Sequence, residues 1–265
     1  MLPGGVLGTS ACRKKGDQMR RNSIFTKRWV KGSAVLVATA ATLVFANPQQ
    51  AIATPLKGVD SATVSQSASN VVDIDFADGI KGRITFLEDG IFRYNVDPKG
   101  EFSEYATPRS KSHTAKIQAQ PDTSDTYSKP SATVADKGDT IEITGGKATV
   151  ILDKATGKMS IKSGDRVVVS ESASLDLDKK GTVQTLAKEK SENFFGGGTQ
   201  NGRFLHTNQT IAISNTNNWT DGGVASPNPF YWTSDGYGVL RNTFAEGSYD
   251  FGSTDSSTVT TLHSE

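Results

Sequence analysis

The chain has 265 residues, of which 35% are hydrophobic and 22% charged, with a formal net charge of +1. This length allows one large domain or two small ones, and a composition rich in Ser, Thr, Asp, Asn and Gly is typical of an all-β domain. Residues 1–53 hold eight of the 29 Lys and Arg and one of the 28 Asp and Glu, which leaves about −6 on the rest of the chain. This negative charge argues against a nucleic-acid binder, which needs clustered basic residues.

The first 53 residues have the three parts of a secretory signal peptide. A basic segment without acidic residues follows Met19, the more natural start, and an apolar run of 13 residues spans 34–46. Ala51-Ile52-Ala53 then has the small-residue pattern of a cleavage site. The apolar run is shorter than the about 20 residues that cross a bilayer, so an amino-terminal anchor is the less favoured alternative. We predict a secreted or cell-surface protein of a Gram-positive bacterium, with only transient membrane contact through this signal.

These features predict three segments in the chain. Residues 1–53 are the signal region, with cleavage after Ala53. Residues 54–70 are small and polar and are predicted to form a flexible leader, and residues 71–265 are predicted to form a β-sandwich. The single cysteine, Cys12, lies in the removed segment, so no disulfide is expected in the mature chain.

Short strand patterns begin after the leader. Apolar residues alternate with Asp in the stretch VVDIDF, and Asp89-Gly90 separates two apolar stretches, which is a strong hairpin signal. Residues 98–137 contain four prolines and few aliphatic side chains. We predict long loops there, with one strand around the stretch TAKIQAQ.

The clearest alternation begins at Asp139. It predicts four strands of an antiparallel meander, and two more strands follow Gly247. No segment after the signal has a helical period over ten or more residues. Short strands at this spacing are typical of a β-sandwich, so the predicted fold class is an all-β antiparallel sandwich. The predicted turns of the meander lie at Gly145-Gly146, 153–157 and Gly164-Asp165.

The stretch NFFGGGTQNGRF, residues 193–204, is a candidate binding loop because Gly-rich loops often hold phosphates. A phosphate loop requires Lys followed by Ser or Thr and then a helix, whereas Gly198 is followed by Thr199 and Gln200. The dinucleotide spacing fails as well, because position 201 is not glycine. We therefore expect no nucleotide here, and predict that the glycines adopt positive φ and allow close approach of a neighbouring backbone.

No metal or cofactor site is predicted. The three histidines, His113, His206 and His263, are far apart and form no His-x-x-x-His pair, so we expect single surface histidines. The Gly-x-Ser-x-Gly motif of a serine nucleophile elbow is not present.

A block rich in polar and aromatic residues covers positions 217–244. Sugars present apolar C–H faces and a ring of hydroxyls, so aromatic rings flanked by Asp, Asn and Gln suit them. For any one aromatic the core is favoured over ligand contact, while for the loop as a whole a structural and a functional role both remain open. The aromatic residues of the block are Trp219, Phe230, Tyr231, Trp232 and Tyr237.

The block and the glycine run together resemble the amino-terminal region of glycoside hydrolase family 31. The resemblance lies between residues 193 and 252, in the stretches FFGGGTQNGRF, NNWTDGG, PNPFYWTSDGYGVLRNTF and YDFG. The residues of the first two stretches are most similar to those of a secreted bacterial branch of the family, which acts on α-linked N-acetylgalactosamine or galactose. The resemblance implies a galactose-mutarotase-like β-sandwich, followed in that family by a catalytic (β/α)8 barrel.

In that family the barrel carries both catalytic aspartates, one of them on a Trp-x-Asp-Met strand. This chain has no such motif, and the 212 residues after residue 53 are fewer than the about 250 that a barrel needs. The resemblance thus implies the non-catalytic part of a retaining α-glycosidase, truncated before its barrel and inactive alone. Its partners would be the missing barrel and a terminal α-linked galactose-type or glucose-type sugar.

The resemblance also indicates substrate-binding residues. A sandwich loop of the family reaches over the barrel mouth, and the matching positions are Trp219 and Asp221, with Gln200 and Asn201 as neighbours. Trp-Thr-Asp-Gly departs from the family's Trp-Asn-x-Asp, so Asp221 either contacts sugar or begins a turn. The alternatives to a truncated enzyme are a free-standing carbohydrate-binding or cell-surface module and an unstable fragment with an exposed apolar face.

Overall fold

The described part of the chain consists of antiparallel β-strands and contains no helix. The computed structural model describes residues 55–102, 127–178 and 181–264. The prediction of an all-β antiparallel fold is confirmed. In chain order the strands are β1 (Val59–Ala68), β2 (Val71–Phe76), β3 (Lys81–Glu88), β4 (Ile91–Asp97), β5 (Ala132–Asp136), β6 (Thr140–Gly145), β7 (Ala148–Asp153), β8 (Met159–Ser163), β9 (Arg166–Asp178), β10 (Gly181–Ala187), β11 (Phe194–Gln200), β12 (Thr210–Ile213), β13 (Val224–Thr233), β14 (Gly238–Leu240), β15 (Gly247–Asp250) and β16 (Thr258–His263).

These strands form three sheets. The largest has nine strands in the order β12-β15-β16-β10-β9-β8-β7-β6-β5. Strands β1 to β4 form a second sheet in chain order, and β11, β13 and β14 form a third. Both smaller sheets pack on the nine-stranded sheet, so the sandwich has one long layer and two short ones.

The four-stranded sheet covers β5 to β8. Alternate residues of its strands, such as Ile74 and Ile84, are fully buried against Ile141 of β6 and Val150 of β7. Each such side chain contributes about 1.5–3 kcal/mol relative to an exposed one. We call this the first core.

The three-stranded sheet covers the other end of the long layer. Phe194 of β11 and Tyr231 of β13 are fully buried against Tyr249, Phe251 and Val259. Phe194 stacks on Phe251 with ring centroids 4.9 Å apart, and Tyr231 meets the same ring edge-on at 5.2 Å. These are favoured geometries for aromatic pairs. This second core is richer in aromatic rings than the first.

Several predicted local elements are confirmed. The stretch VVDIDF forms β2 with every second residue buried, and Asp89-Gly90 connects β3 and β4 as a hairpin. The four-strand meander after Asp139 appears as β6 to β9 with all three predicted turns. The alternation after Gly247 appears as β15 and β16.

Two segments differ from the prediction. The predicted flexible leader includes β1, which pairs with β2, because the bonds with an adjacent strand compensate for its weak apolar pattern. The segment 98–137, predicted as loops with one strand around TAKIQAQ, contains β5 at its end. β5 is an edge strand with mostly exposed side chains, so its sequence carries little strand periodicity.

Other predictions lie outside the described residues. These are the signal region at 1–53 with its cleavage after Ala53, the strand at TAKIQAQ and His113. Within the ranges that the structure describes, no helix is long and apolar enough to cross a membrane.

Candidate functional site

The glycine run makes a bulge in β11. Gly196, Gly197 and Gly198 have positive φ angles of 114°, 71° and 76°. A Cβ on Gly198 would lie 2.3 Å from the carbonyl oxygen of Ser226 on the neighbouring strand, and the register with β13 shifts here. Positive φ and close backbone approach are thus confirmed, and the bulge is the structural reason for three consecutive glycines.

Gln200 lies just beyond the bulge and points into the domain, with only 3% of its surface exposed. Its Nε2 donates to the carbonyl oxygens of Gly197 and Ala212, both at 3.0 Å, and so ties β11 to β12. Gln200 also pairs with Val224, the first residue of β13. It therefore supports the base of the connection between β12 and β13; contact with a sugar stays a prediction.

That connection, residues 214–223, is called the Trp219 loop below. Asn201 is its main anchor: the side-chain Nδ2 donates to the carbonyl oxygens of Asn218 at 2.8 Å and Thr220 at 3.0 Å. The backbone of Asn201 adds two bonds, donating to Gly223 O and accepting from Gly222 N, each at 3.0 Å. Four hydrogen bonds from one residue hold the loop in a single arrangement.

Further bonds lie within the loop. Asn218 Oδ1 accepts from the backbone N of Thr220 at 3.0 Å and from its hydroxyl at 2.7 Å. The indole Nε1 of Trp219 donates to Asn217 Oδ1 at 2.9 Å, which orients the ring. Trp219 is nevertheless 70% exposed, so the loop presents a large aromatic ring to solvent.

Asp221 lies in a turn at the tip of this loop. Gly223 N donates to Thr220 O at 3.0 Å, and Gly222 between them has a φ of 77°. Asp221 is thus the second residue of a turn that begins at Thr220, which agrees with the turn among its two predicted alternatives, and its carboxylate is exposed to solvent. Gly202, beside this carboxylate, has a φ of 73°, which favours glycine, and a Cβ there would also force the Asp221 side chain to move.

Of the four predicted residues, the structure brings Asn201, Trp219 and Asp221 together at the loop and places Gln200 beneath it. Sequence reasoning missed Arg203, whose Nη2 donates to Gly222 O at 2.8 Å. The signal was present, because Arg203 follows Asn201 and Gly202 in the same stretch. The arrangement is a rigid, polar loop that offers one exposed indole and one exposed carboxylate.

A family model described as the glycosyl hydrolase 31 N-terminal galactose mutarotase-like domain matches residues 81–250. The chain belongs to this family. The match covers the whole Trp219 loop and most residues of both cores, while β1, β2 and β16 lie outside it. A comparison with curated proteins finds no match.

Solved structures of family 31 enzymes have the same fold. A Flavobacterium johnsoniae GH31 dextranase matches with a TM-score of 0.63 at 15% identity, over 79% of this chain and 25% of its own. The cycloalternan-forming enzyme of Listeria monocytogenes matches at 0.64 and 15%, over 80% and 20%. A GH31 α-xylosidase from Xanthomonas citri matches at 0.52 and 21%, over 70% and 20%. The chain thus spans a quarter or less of the length of these enzymes.

The two histidines that the structure describes in this family 31 domain are buried, so the prediction of surface histidines is wrong for them. His206 is 1% exposed, and its Nε2 lies 3.0 Å from Gly196 O. His263 is fully buried between Tyr249 Oη at 2.9 Å and Ala245 O at 3.0 Å. Each ring is buried in or beside the second core and has hydrogen-bond partners there. The spacing of the histidines along the chain does not reveal this burial.

Burial lowers the pKa of His206, and the nearby Arg203 cation lowers it further, against the opposing effect of the Gly196 carbonyl. The ring is therefore neutral near neutral pH, and as a neutral donor it supports the bulge at Gly196. In the ranges that the structure covers, no group of three or more His, Cys, Asp or Glu is placed to hold a metal ion.

The aromatic block of the family 31 domain divides by strand alternation. Tyr231 is fully buried in the second core and Tyr237 packs against it, so for these two the favoured core assignment is correct. Trp219, Phe230 and Trp232 are exposed, with 40% or more of each side chain in solvent. For these three the core assignment is wrong, because Trp219 lies in the loop before β13 and Phe230 and Trp232 lie on the face of β13 that points away from the core.

Proposed function

We propose that this family 31 domain is the non-catalytic N-terminal β-sandwich of a secreted retaining α-glycosidase. In the intact enzyme it supports the catalytic barrel, and its Trp219 loop forms part of the sugar pocket. The substrate class is a terminal α-linked galactose-type or glucose-type sugar. The observation that carries this proposal is the rigid, exposed Trp219 loop in a chain that belongs to the family.

The chemistry of the loop suits sugar binding. The exposed indole of Trp219 offers an apolar surface for sugar C–H groups, and Asp221 offers acceptors for hydroxyls. Because Asn201 holds the loop at four points, binding a sugar costs little additional ordering. The loop binds and orients the sugar, whereas the two carboxyl groups that cleave the bond belong to the barrel.

A direct test uses the Flavobacterium dextranase, whose structure is solved with isomaltotriose. The domain is superposed on that complex through its strands, and the distance from the Trp219 loop to the nearest sugar atom is measured. We expect the loop tip within contact distance, about 4.5 Å, after side-chain adjustment. A loop on the far side of the sandwich from every sugar would contradict the pocket-forming role.

The predicted lack of activity is tested on the purified full chain. We expect no turnover of nitrophenyl α-galactoside, α-N-acetylgalactosaminide or α-glucoside above the rate without protein. Clear turnover would disprove the non-catalytic assignment. Sequencing the DNA after the Glu265 codon shows whether a barrel with a Trp-x-Asp-Met motif follows, as the proposal expects.

The exposed indole also favours a second candidate, a free-standing carbohydrate-binding module. This candidate predicts heat on titration of the full chain with galactose, N-acetylgalactosamine or glucose. It predicts loss of that heat in Trp219→Ala, with Trp232→Ala as a matched control that removes an exposed indole outside the loop. No heat with any of the three sugars would exclude this candidate and leave the barrel-dependent function in place.

A further inference from the structure

The three-stranded sheet carries apolar side chains on both of its faces. Phe194, Tyr231 and Val239 point into or against the second core. The alternate positions point away from that core. They carry Phe195, Phe230, Trp232 and Leu240, and Phe204 lies over Phe195. We call these five residues the outer aromatic face.

The rings of this face form a continuous row. Phe204 and Phe195 have centroids 5.3 Å apart, Phe195 and Trp232 5.7 Å, and Trp232 and Phe230 6.2 Å. Leu240 extends the row as the partner of Phe230 in β14, and it is 59% exposed. Soluble monomers rarely expose such a contiguous apolar surface, so it marks an interaction site.

The chemistry of the face favours a protein partner over a sugar. Its five members are all apolar, whereas sugar sites place polar groups among their rings. Exposed polar residues occur on β13 only farther along, at Ser226 and Asn228, toward the Trp219 loop. The half of β13 that carries Phe230, Tyr231 and Trp232 is thus apolar on both faces, which is typical of a sheet that is covered on both sides.

The size of the partner follows from β13. This strand begins at Val224, directly after the Trp219 loop, and reaches Phe230 six residues later. At about 3.3 Å per residue, the loop base and the aromatic rings are about 20 Å apart along one strand. A partner that covers the rings and also reaches the base of the loop therefore spans at least about 20 Å along this strand.

We propose that the outer aromatic face is the surface on which the catalytic module of a longer family 31 chain packs. This proposal rests on the proposed function and assigns the contact to particular residues. The matched family model is an N-terminal domain. This chain spans 25% of the Flavobacterium enzyme and 20% of the Listeria enzyme, so at least three quarters of each of those enzymes is available as the occupant. Packing on the rings fixes β13, and β13 in turn fixes the position of the Trp219 loop over the sugar.

The solved enzymes give the first test. The domain is superposed on the Flavobacterium and Listeria structures, and solvent exposure at the positions equivalent to Phe195, Phe230, Trp232 and Leu240 is measured with and without the rest of the chain. We expect the remaining chain to cover most of this surface. Equivalent positions that stay exposed in both enzymes would overturn the proposal. The loop-to-sugar distance is measured separately, so the failure of either proposal is distinguishable from that of the other.

The second test uses the full chain in solution. An apolar dye such as bis-anilinonaphthalene sulfonate should bind the wild type, and Phe230→Thr with Trp232→Thr should lose most of the signal. Ile91→Thr with Val167→Thr is the matched control, because both residues are exposed apolar strand residues outside this face. The apolar run at 34–46 is the same in all three proteins, so it cancels in the comparison.

Two outcomes of this second test would count against the proposal. If the Phe230/Trp232 double variant unfolds at a much lower temperature than the control double variant, the rings belong to the core of this domain. If sedimentation shows a discrete, saturable wild-type dimer that the double variant abolishes, a second copy of the chain is the occupant. We expect instead melting temperatures close to that of the control, and wild-type self-association without fixed stoichiometry.

Discussion

The two short sheets pack on the same long layer, yet their outer faces are opposite in character. The outer face of the four-stranded sheet carries Asp73, Asp75, Lys81 and Arg83, with ion pairs of 2.6 Å for Arg83–Asp73 and 2.9 Å for Lys81–Asp75. The outer face of the three-stranded sheet carries a row of aromatic rings. The first face is suited to water and the second to a partner.

The two short sheets differ in how many of their faces are apolar. The first core and its sheet have one apolar and one polar face, the usual pattern of an autonomous antiparallel sheet. The second region buries its inner face as well as the first does, but leaves a second apolar face exposed. Under the packing proposed above, the exposed apolar face of the three-stranded sheet is the surface that a partner covers, whereas the described residues of the four-stranded sheet form no comparable apolar surface facing solvent.

The largest expected effect compares neighbouring residues on opposite faces of β11. Phe194→Ala removes a fully buried ring stacked on Phe251, and we expect the free energy of unfolding to fall by about 3–5 kcal/mol. Phe195→Ala removes a cross-strand contact with Trp232 on the outer face, and should cost about 1 kcal/mol or less. Urea unfolding of both variants measures the difference. Equal losses would show that the outer face is part of the core.

A smaller expected effect is the pH dependence of the free energy of unfolding that comes from His206, which lies beside the second core. Because the pKa of His206 is lowered in the fold by burial, the unfolded chain takes up its proton first as the pH falls below about 6.5. The stability contributed by neutral His206 is present above that pH and is lost as the pH falls toward the lowered pKa.

This prediction is measured as the change in urea midpoint between about pH 7.5 and pH 5.5, on either side of the unfolded pKa. The wild type should lose more stability than His206→Gln over this interval. Burial raises the pKa values of Glu171 and Glu192, which has the opposite sign, but both proteins share these groups. An identical pH dependence in the two proteins would show that His206 does not titrate differently on unfolding.

The smallest effect lies on the polar face of the first region. Burial alone would raise the pKa of Asp73, but hydrogen bonds from Arg83 and Ser67 outweigh it and hold the pKa below its usual value. Asp73→Asn should cost less than about 1 kcal/mol near neutral pH, because the pair is partly exposed. The difference from wild type should disappear as the pH falls below about 4 and Asp73 takes up a proton. Thermal melts of both proteins near neutral pH and below about pH 4 measure this difference. A loss of stability in Asp73→Asn that persists at the lower pH would indicate an effect on packing instead of charge.

Local patterns predicted much of the fold. Alternation was sufficient to predict β2 and the meander β6 to β9, because strands such as β2, β6 and β7 have one buried face and one that is partly exposed to solvent. The sequence did not locate β1, β5 or β10 to β14 individually. For β1 and β5 the reason is that their side chains are largely exposed, so pairing with neighbouring strands holds them. For each aromatic residue of β13 the sequence favoured the core, which is correct for Tyr231 and wrong for Phe230 and Trp232. Where both faces of a strand are apolar, the sequence does not indicate which face is buried.

The candidate site shows the same division. Asn201, Trp219 and Asp221 were predicted from a resemblance, and the structure places Trp219 and Asp221 in one loop that Asn201 anchors. Gln200 belongs to the same stretch but points inward, because the bulge at the three glycines turns the strand before it. The stretch itself indicated Asn201 and contained Arg203, but the groups they bind lie 17 to 22 residues away, so spacing does not reveal those partners.

The sequence by itself determined the all-β class, the strands of the first hairpin, of the meander and of the final pair, and the family resemblance, because these depend on side-chain alternation and on short runs of neighbouring residues. Only the tertiary structure decided that two cores share one long sheet, that both described histidines are buried, and that the aromatic row faces solvent. Those properties depend on which strands become neighbours across long stretches of chain. The physical reason is that alternation specifies two faces for each strand, while the packing of one sheet on another decides which face is buried.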